Sequence, residues 1–369
     1  AYLDAKFNSA YYGHEIAHQW FGNLVISGDA VFSEGMAQFA SLLVVEALEG
    51  SHAAEQYRRT GYLGYVPLQN GFGYLMLAAA GIDYKLTEPS PFAHLLANSK
   101  GFLAIDLLSR TIGREQFRMI VQKFLRQHAF QFVKWEQFAR AVEAGAKKDI
   151  KWFFTQWFEQ TGAPDWKLTW QQQGETLKGV ITQTAPFYRA TVEIQAEGSE
   201  CQRQARTVEV QGQRTEFTMP VKFRVQGVTL DPRFLVLHWT PEYRAEVTAL
   251  TPYIRADAKR RQGKFAEAEE EFKSALEQVP TPDIYGLRFI LEYGFSRLFA
   301  VQNKWAEAKA HLEAALTSPT RRTNWLPLVY LDLAGIARRS NDERAVRWAM
   351  DAYKTTTASG RLPSTPNMP

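Results

Sequence analysis

The sequence predicts a multidomain, mainly α-helical protein with an antiparallel β-sandwich set between two helical parts. Three observations carry this. Apolar residues recur at helical spacing through the first part of the chain. Short alternating runs follow one another at about ten-residue intervals from Asp165 to about residue 240. A repeated helical pattern then returns and runs almost to the end. The expected divisions are 1–163, 164–245, 246–358 and a disordered tail at 359–369. A chain of 369 residues exceeds one ordinary core, which agrees with several domains.

The first helical part opens with Gly13-His14-Glu15-Ile16-Ala17-His18-Gln19-Trp20. On a helix, His14 and His18 project from one face with Cβ atoms about 5–6 Å apart, so both imidazoles can reach one metal ion. Glu15 stands at the edge of that face, within reach of a water on the metal. A hydrolytic site needs a third, anionic ligand and one open position. Glu34 supplies it. Ser33 reads as an N-cap, Met36, Phe39, Ala40, Leu43 and Val44 form one apolar helical face, and Gly50 ends the helix. Glu34 is thus expected in a first helical turn, and residues 22–32, with Gly28-Asp29, are expected to reverse the chain between two packed helices. Asp29 reads either as a turn residue or as a group orienting a ligand from behind. His52, His94, His128, His238 and His311 are scattered and read as surface or packing residues.

Helical stripes continue through Phe117, Ile120, Val121, Phe124 and Leu125, through Trp135, Phe138, Ala139 and Val142, and through Phe153, Phe154, Trp157 and Phe158. They read as core. The Gly-, Leu- and Tyr-rich stretch from Gly64 to Ile82 is either core or a cleft wall. The six alternating runs lie at 166–170, 177–181, 190–194, 207–210, 216–219 and 228–230. Beyond them, Gly263-Lys264-Phe265-Ala266-Glu267-Ala268 recurs as Asn303-Lys304-Trp305-Ala306-Glu307-Ala308, with a weaker copy through Ala345, Ala349 and Ala352. These small-residue positions resemble tetratricopeptide repeats, although the first spacing of forty residues exceeds the usual ~34. Stacked helix pairs of that kind present a concave face on which a protein partner can dock.

Composition narrows the function. A net charge of only +4 over this length argues against a dedicated nucleic-acid binder. Cys201 is the single cysteine, so a metal site must use His and carboxylates. No apolar run reaches the ~18 residues of a membrane span, so no transmembrane segment is expected. The start at Ala1-Tyr2-Leu3-Asp4 has no initiator Met and no leader pattern. The chain reads as a piece of something longer, and its compartment stays open.

The string His14-Glu15-Ile16-Ala17-His18-Gln19-Trp20-Phe21-Gly22-Asn23, followed by Ser33-Glu34-Gly35-Met36-Ala37, resembles the gluzincin aminopeptidases of the aminopeptidase N type. The resemblance covers roughly residues 1–163 and extends plausibly into the β segment. It implies a thermolysin-like catalytic domain, one zinc ion on His14, His18 and Glu34, Glu15 as general base, and hydrolysis of peptides from the N-terminus. Three features depart from the family. The fifteen residues from 19 to 33 are a shorter connection than usual. The upstream Gly-x-Met-Glu-Asn strand that reads the substrate's free amine is not among the residues before His14. The family's oxyanion-stabilising Tyr, two residues before a Lys-Gly pair, corresponds to Asn98 before Lys100-Gly101. Asn98 can donate a hydrogen bond but is shorter, and Tyr74 and Tyr84 are alternative donors. The leading expectation is a zinc peptidase. The alternative is a zinc-binding scaffold of weak or lost activity whose repeats bind a partner.

Overall fold

The computed structural model describes residues 9–60, 69–322 and 325–358. The expected disordered tail and the Gly64–Leu68 portion of the possible cleft wall fall outside them.

The metal motif lies on α1 (Ser9–Ala17), with His18 in the turn that closes it. A short strand β1 (Ile26–Ser27) follows, and then one continuous helix. It begins with a π-helical turn, Val31–Gly35, and runs on as α2 (Met36–Glu49). Ser33 is therefore no N-cap. The backbone is already helical at Ala30, and the Ser33 hydroxyl donates back to the Asp29 carbonyl at 3.5 Å. Gly50 ends α2 as expected, at a positive φ that a side chain would strain.

By length and composition alone, Val31–Glu49 is apolar enough to cross a membrane, contrary to the sequence expectation. More than half of it is buried inside the protein, against α1 and later helices, so core packing accounts for its apolarity.

Around α2 lie α3 (Ser51–Arg59), α4 (Gly71–Ala79), the single turn α5 (Ala93–Leu96), a second π-helical turn Ala97–Gly101, and α6 (Phe102–Ile112). Then come α7 (Arg114–Gln127), β2 (Phe132–Val133), α8 (Trp135–Gly145) and α9 (Lys151–Trp157). Strands β1 and β2 pair in parallel. The aromatic stripes are core: Phe32, Phe117, Phe124 and Phe138 meet edge to face, at centroid separations between 5.2 and 6.4 Å.

Six strands follow: β3 (Trp166–Gln173), β4 (Thr176–Gln183), β5 (Ala190–Glu197), β6 (Arg203–Val210), β7 (Arg214–Pro220) and β8 (Gly227–Leu230). They form two antiparallel three-stranded sheets, ordered β3-β4-β7 and β6-β5-β8. Alternate residues, Leu177, Ile181, Phe217 and Met219 in one sheet and Val192, Ile194 and Ala196 in the other, are buried in one apolar cluster.

Residues 231–240 then strap the sandwich to the first helices. Arg59 Nη2 donates to the Pro232 carbonyl at 2.6 Å, and Arg110 Nη2 donates to the Leu235 carbonyl at 2.5 Å.

The last part is helical from Pro241, five residues ahead of the expected boundary at 246. Thr240 caps the helix by accepting from the Tyr243 N–H at 3.2 Å, and Pro241 occupies the first turn, where its missing N–H costs nothing. Helices α10 (Pro241–Arg261), α11 (Phe265–Glu277), α12 (Leu287–Ala300), α13 (Trp305–Thr317), α14 (Leu326–Arg339) and α15 (Arg344–Ala358) pack in consecutive pairs. Helix α10 also leans on α4, joining this part to the first.

Candidate metal centre

Helix α1 and the start of α2 pack together and bring three side chains to one point. His14 Nε2 and His18 Nε2 are 3.1 Å apart. Glu34 Oε2 lies 3.4 Å from His14 Nε2, and its Oε1 lies 3.7 Å from His18 Nε2. Among the described residues these three form the one group of histidine, cysteine and carboxylate side chains able to hold a metal ion. All three are partly buried.

The donors fit a zinc-type ion. Tetrahedral ligands at about 2.0–2.1 Å from a metal stand about 3.3 Å from each other, and the observed separations bracket that value. The His18 tautomer is fixed as well. Its Nδ1–H donates to the Phe21 carbonyl at 3.0 Å, which leaves the Nε2 lone pair directed at the cluster. Glu34 is anionic. Burial opposes its ionisation, but the hydrogen bond with His14, the electrostatic influence of His94 and the hydrogen bond from Asn98 outweigh burial and hold its pKa at about 2. Glu15 follows His14 on α1 and is exposed.

Glu34 lies inside a π-helical turn, a local widening that recurs at functional positions. The second such turn, Ala97–Gly101, packs against it. Gly35 permits this approach: a Cβ there would stand 3.2 Å from Ile105 Cδ1 and 3.4 Å from the Ala97 carbonyl oxygen. The contact brings Asn98 to the site. Asn98 is fully buried, and its Nδ2 donates to Glu34 Oε2 at 3.2 Å. Its amide is thus directed at the carboxylate.

The other candidates lie elsewhere. Asp29 Oδ2 accepts the Trp135 N–H at 2.8 Å, so its carboxylate serves the start of α8. Tyr84 stacks on Phe92 with ring centroids 6.3 Å apart. Tyr74 is buried, and its hydroxyl donates to Asp83 Oδ1 at 2.8 Å beside the Gly162 carbonyl. Lys100, in the Lys-Gly pair, is also buried and donates to the carbonyls of Gln160 at 2.6 Å and Gly162 at 3.0 Å.

One histidine does not behave as the sequence reading expected. His94 stands beside the cluster, its Nδ1 3.6 Å from Glu34 Oε2 and its Nε2 3.2 Å from Asn98 Nδ2. The signal that could have found it is its spacing of one helical turn from Asn98.

A His-Glu-x-x-His helix packed on a second helix that supplies a glutamate presents the donor set of a zinc-type metal site. The sequence profile described as "Peptidase family M1 domain" matches residues 8–157. A glutamyl aminopeptidase of Bitis rhinoceros is 27% identical over 167 residues, covering 43% of this chain and 17% of that protein. Aminopeptidase M1 of Arabidopsis thaliana is 27% identical over 163 residues, covering 41% of this chain and 17% of that protein. The chain thus aligns with about a sixth of the length of these relatives. The crystal structure of Legionella pneumophila aminopeptidase A in complex with aspartic acid shares the fold. Its TM-score is 0.50 at 16% identity, over 97% of this chain and 41% of that one.

Proposed function

We propose that the chain carries the zinc-binding and general-base residues of an aminopeptidase-like peptidase acting on peptides. The observation that carries this reading is the convergence of His14 Nε2, His18 Nε2 and the Glu34 carboxylate at 3.1 to 3.7 Å, with the outer nitrogen of His18 already bonded to a carbonyl. When bound, zinc supplies the Lewis acidity that polarises a scissile carbonyl and brings the pKa of water toward about 7.

The chain's own residues account for the proton movements. Glu15 receives a proton from the attacking water on its carboxylate and returns it to the departing amine. His14 and His18 would hold the ion through Nε2, and Glu34 would add the negative charge that keeps a divalent cation in place. An intact Glu15 beside a complete ligand set supports a hydrolase over a scaffold, because metal retention alone does not use a base. The aminopeptidases among the relatives support action at peptide N-termini.

The test compares parent and Glu15→Gln chains for zinc content and for hydrolysis of aminoacyl amides and N-blocked peptides. The reading expects stoichiometric zinc in both, turnover in the parent and a loss of about 10²–10⁴-fold in the variant. Equal turnover in both overturns the assignment of Glu15. Parent activity on N-blocked substrates alone overturns the aminopeptidase-like reading.

A further inference from the structure

We propose that His94 and Asn98 form a clamp on the ligand carboxylate, with His94 a positioning residue for Glu34. The proposal rests on the zinc reading above and adds a residue to it. The clamp begins with helical spacing. His94 on α5 and Asn98 in the following π-helical turn are four residues apart, so both side chains project toward the same neighbour. That neighbour is Glu34 Oε2, which faces Asn98 Nδ2 at 3.2 Å and His94 Nδ1 at 3.6 Å.

The two clamp residues are also joined to each other. Asn98 Nδ2 lies 3.2 Å from His94 Nε2. One Asn98 amide hydrogen serves Glu34 and the other serves His94 Nε2. This places the imidazole proton on Nδ1, the nitrogen that faces Glu34. Asn98 thereby sets the tautomer of His94 and donates to Glu34 Oε2, while His94 Nδ1 stands 3.6 Å from the same oxygen, an electrostatic contact rather than a hydrogen bond. The other oxygen, Oε1, is left facing His18. A ligand carboxylate restrained in this way loses little freedom on taking up a metal, and partners of this kind govern metal affinity.

The two residues differ in exposure, which makes the idea testable. Asn98 is fully buried, whereas the His94 side chain is 61% exposed. His94→Ala therefore leaves the packing intact. Zinc affinity of the full chain is to be measured by competition with a chromophoric chelator, alongside the d–d spectrum of the cobalt-substituted protein.

His94→Ala is expected to weaken zinc binding about 10- to 100-fold and to shift the cobalt spectrum, with the unfolding midpoint of the zinc-free protein unchanged. His94→Gln, which keeps an N–H donor, is expected to restore most of the affinity. Asn98→Leu, similar in shape but unable to donate, is expected to weaken binding at least as much as His94→Ala. If His94→Ala and Asn98→Leu both bind zinc within twofold of the parent, the clamp is overturned and the three-ligand site stands. If the parent takes up no zinc, both readings are overturned.

Discussion

Replacing Asp106 by Asn should destabilise the first helical part by about 3 kcal/mol. Asp106 is fully buried on α6, directly after the turn that carries Asn98. Three guanidiniums surround it. Arg58 Nε donates to Oδ2 at 2.8 Å, Arg110 Nη1 to the same oxygen at 2.6 Å, and Arg114 Nη2 to Oδ1 at 3.2 Å. Removing one member of a buried ion pair costs about 3–5 kcal/mol, because the remaining charge is left uncompensated. The structure points to the lower end of that range. An amide oxygen in the place of Oδ2 still accepts from Arg58 and Arg110. The amide nitrogen then faces Arg114, which keeps Glu46 at 2.8 Å.

The assay is urea unfolding of the full chain followed by tryptophan fluorescence, since Trp135, Trp152 and Trp157 lie in this part. The gap also depends on pH. Burial raises the Asp106 pKa, but Arg110, Arg58 and Arg114 outweigh it and leave it below the ordinary 3.8. The carboxylate's contribution is therefore complete above that value and is lost as pH falls below it, so parent and variant converge in acid. A loss under about 1 kcal/mol at neutral pH would refute the account of a charge-compensated core.

Other outcomes follow from named contacts. Burial lowers the Lys100 pKa to about 8 against an ordinary 10.5. The folded protein gives up that proton before the unfolded chain does, so stability rises with pH across this window; between pH 8 and 9.5 the parent should gain about 2 kcal/mol over Lys100→Met, and parallel stability curves would contradict this. Thr240→Ala removes the cap at the start of α10 and should cost about 1 kcal/mol, read from chemical denaturation. Chelator should lower the thermal midpoint of the zinc-loaded parent, and added zinc should restore it. His14→Ala should show neither response, and a midpoint that ignores chelator in the parent would count against a bound metal.

Much of the site was legible because its chemistry is local. His14 and His18 are related by one helical turn, and Glu34 follows after a short reversal, so sequence spacing alone brings them within reach. The six strands were legible for a similar reason: each half-buried strand alternates, and residues such as Leu177, Ile181, Phe217 and Met219 mark the inward face. The position of Glu34 within its helix was not legible. A π-helical turn leaves no compositional mark, since it arises where two segments press together, here Gly35 against Ala97 and Ile105. His94 was passed over because its partners, Glu34 and Asn98, meet only through that contact. The start of α10 was misplaced because its cap, Thr240-Pro241, sits in a stretch where the preceding strand pattern had only just faded.

The strap at residues 231–240 has a consequence for how the sequence can change. Arg59 and Arg110 hold it by main-chain oxygens, those of Pro232 and Leu235, and so are indifferent to which side chains those two positions carry. The grip depends instead on the path of the backbone. That path is set by Asp231, whose two carboxylate oxygens accept the N–H groups of Leu235 and Val236 at 2.9 and 2.8 Å. Positions 232 and 235 are therefore open to evolutionary drift, while a single carboxylate at 231 maintains the orientation of the sandwich against α3 and α6.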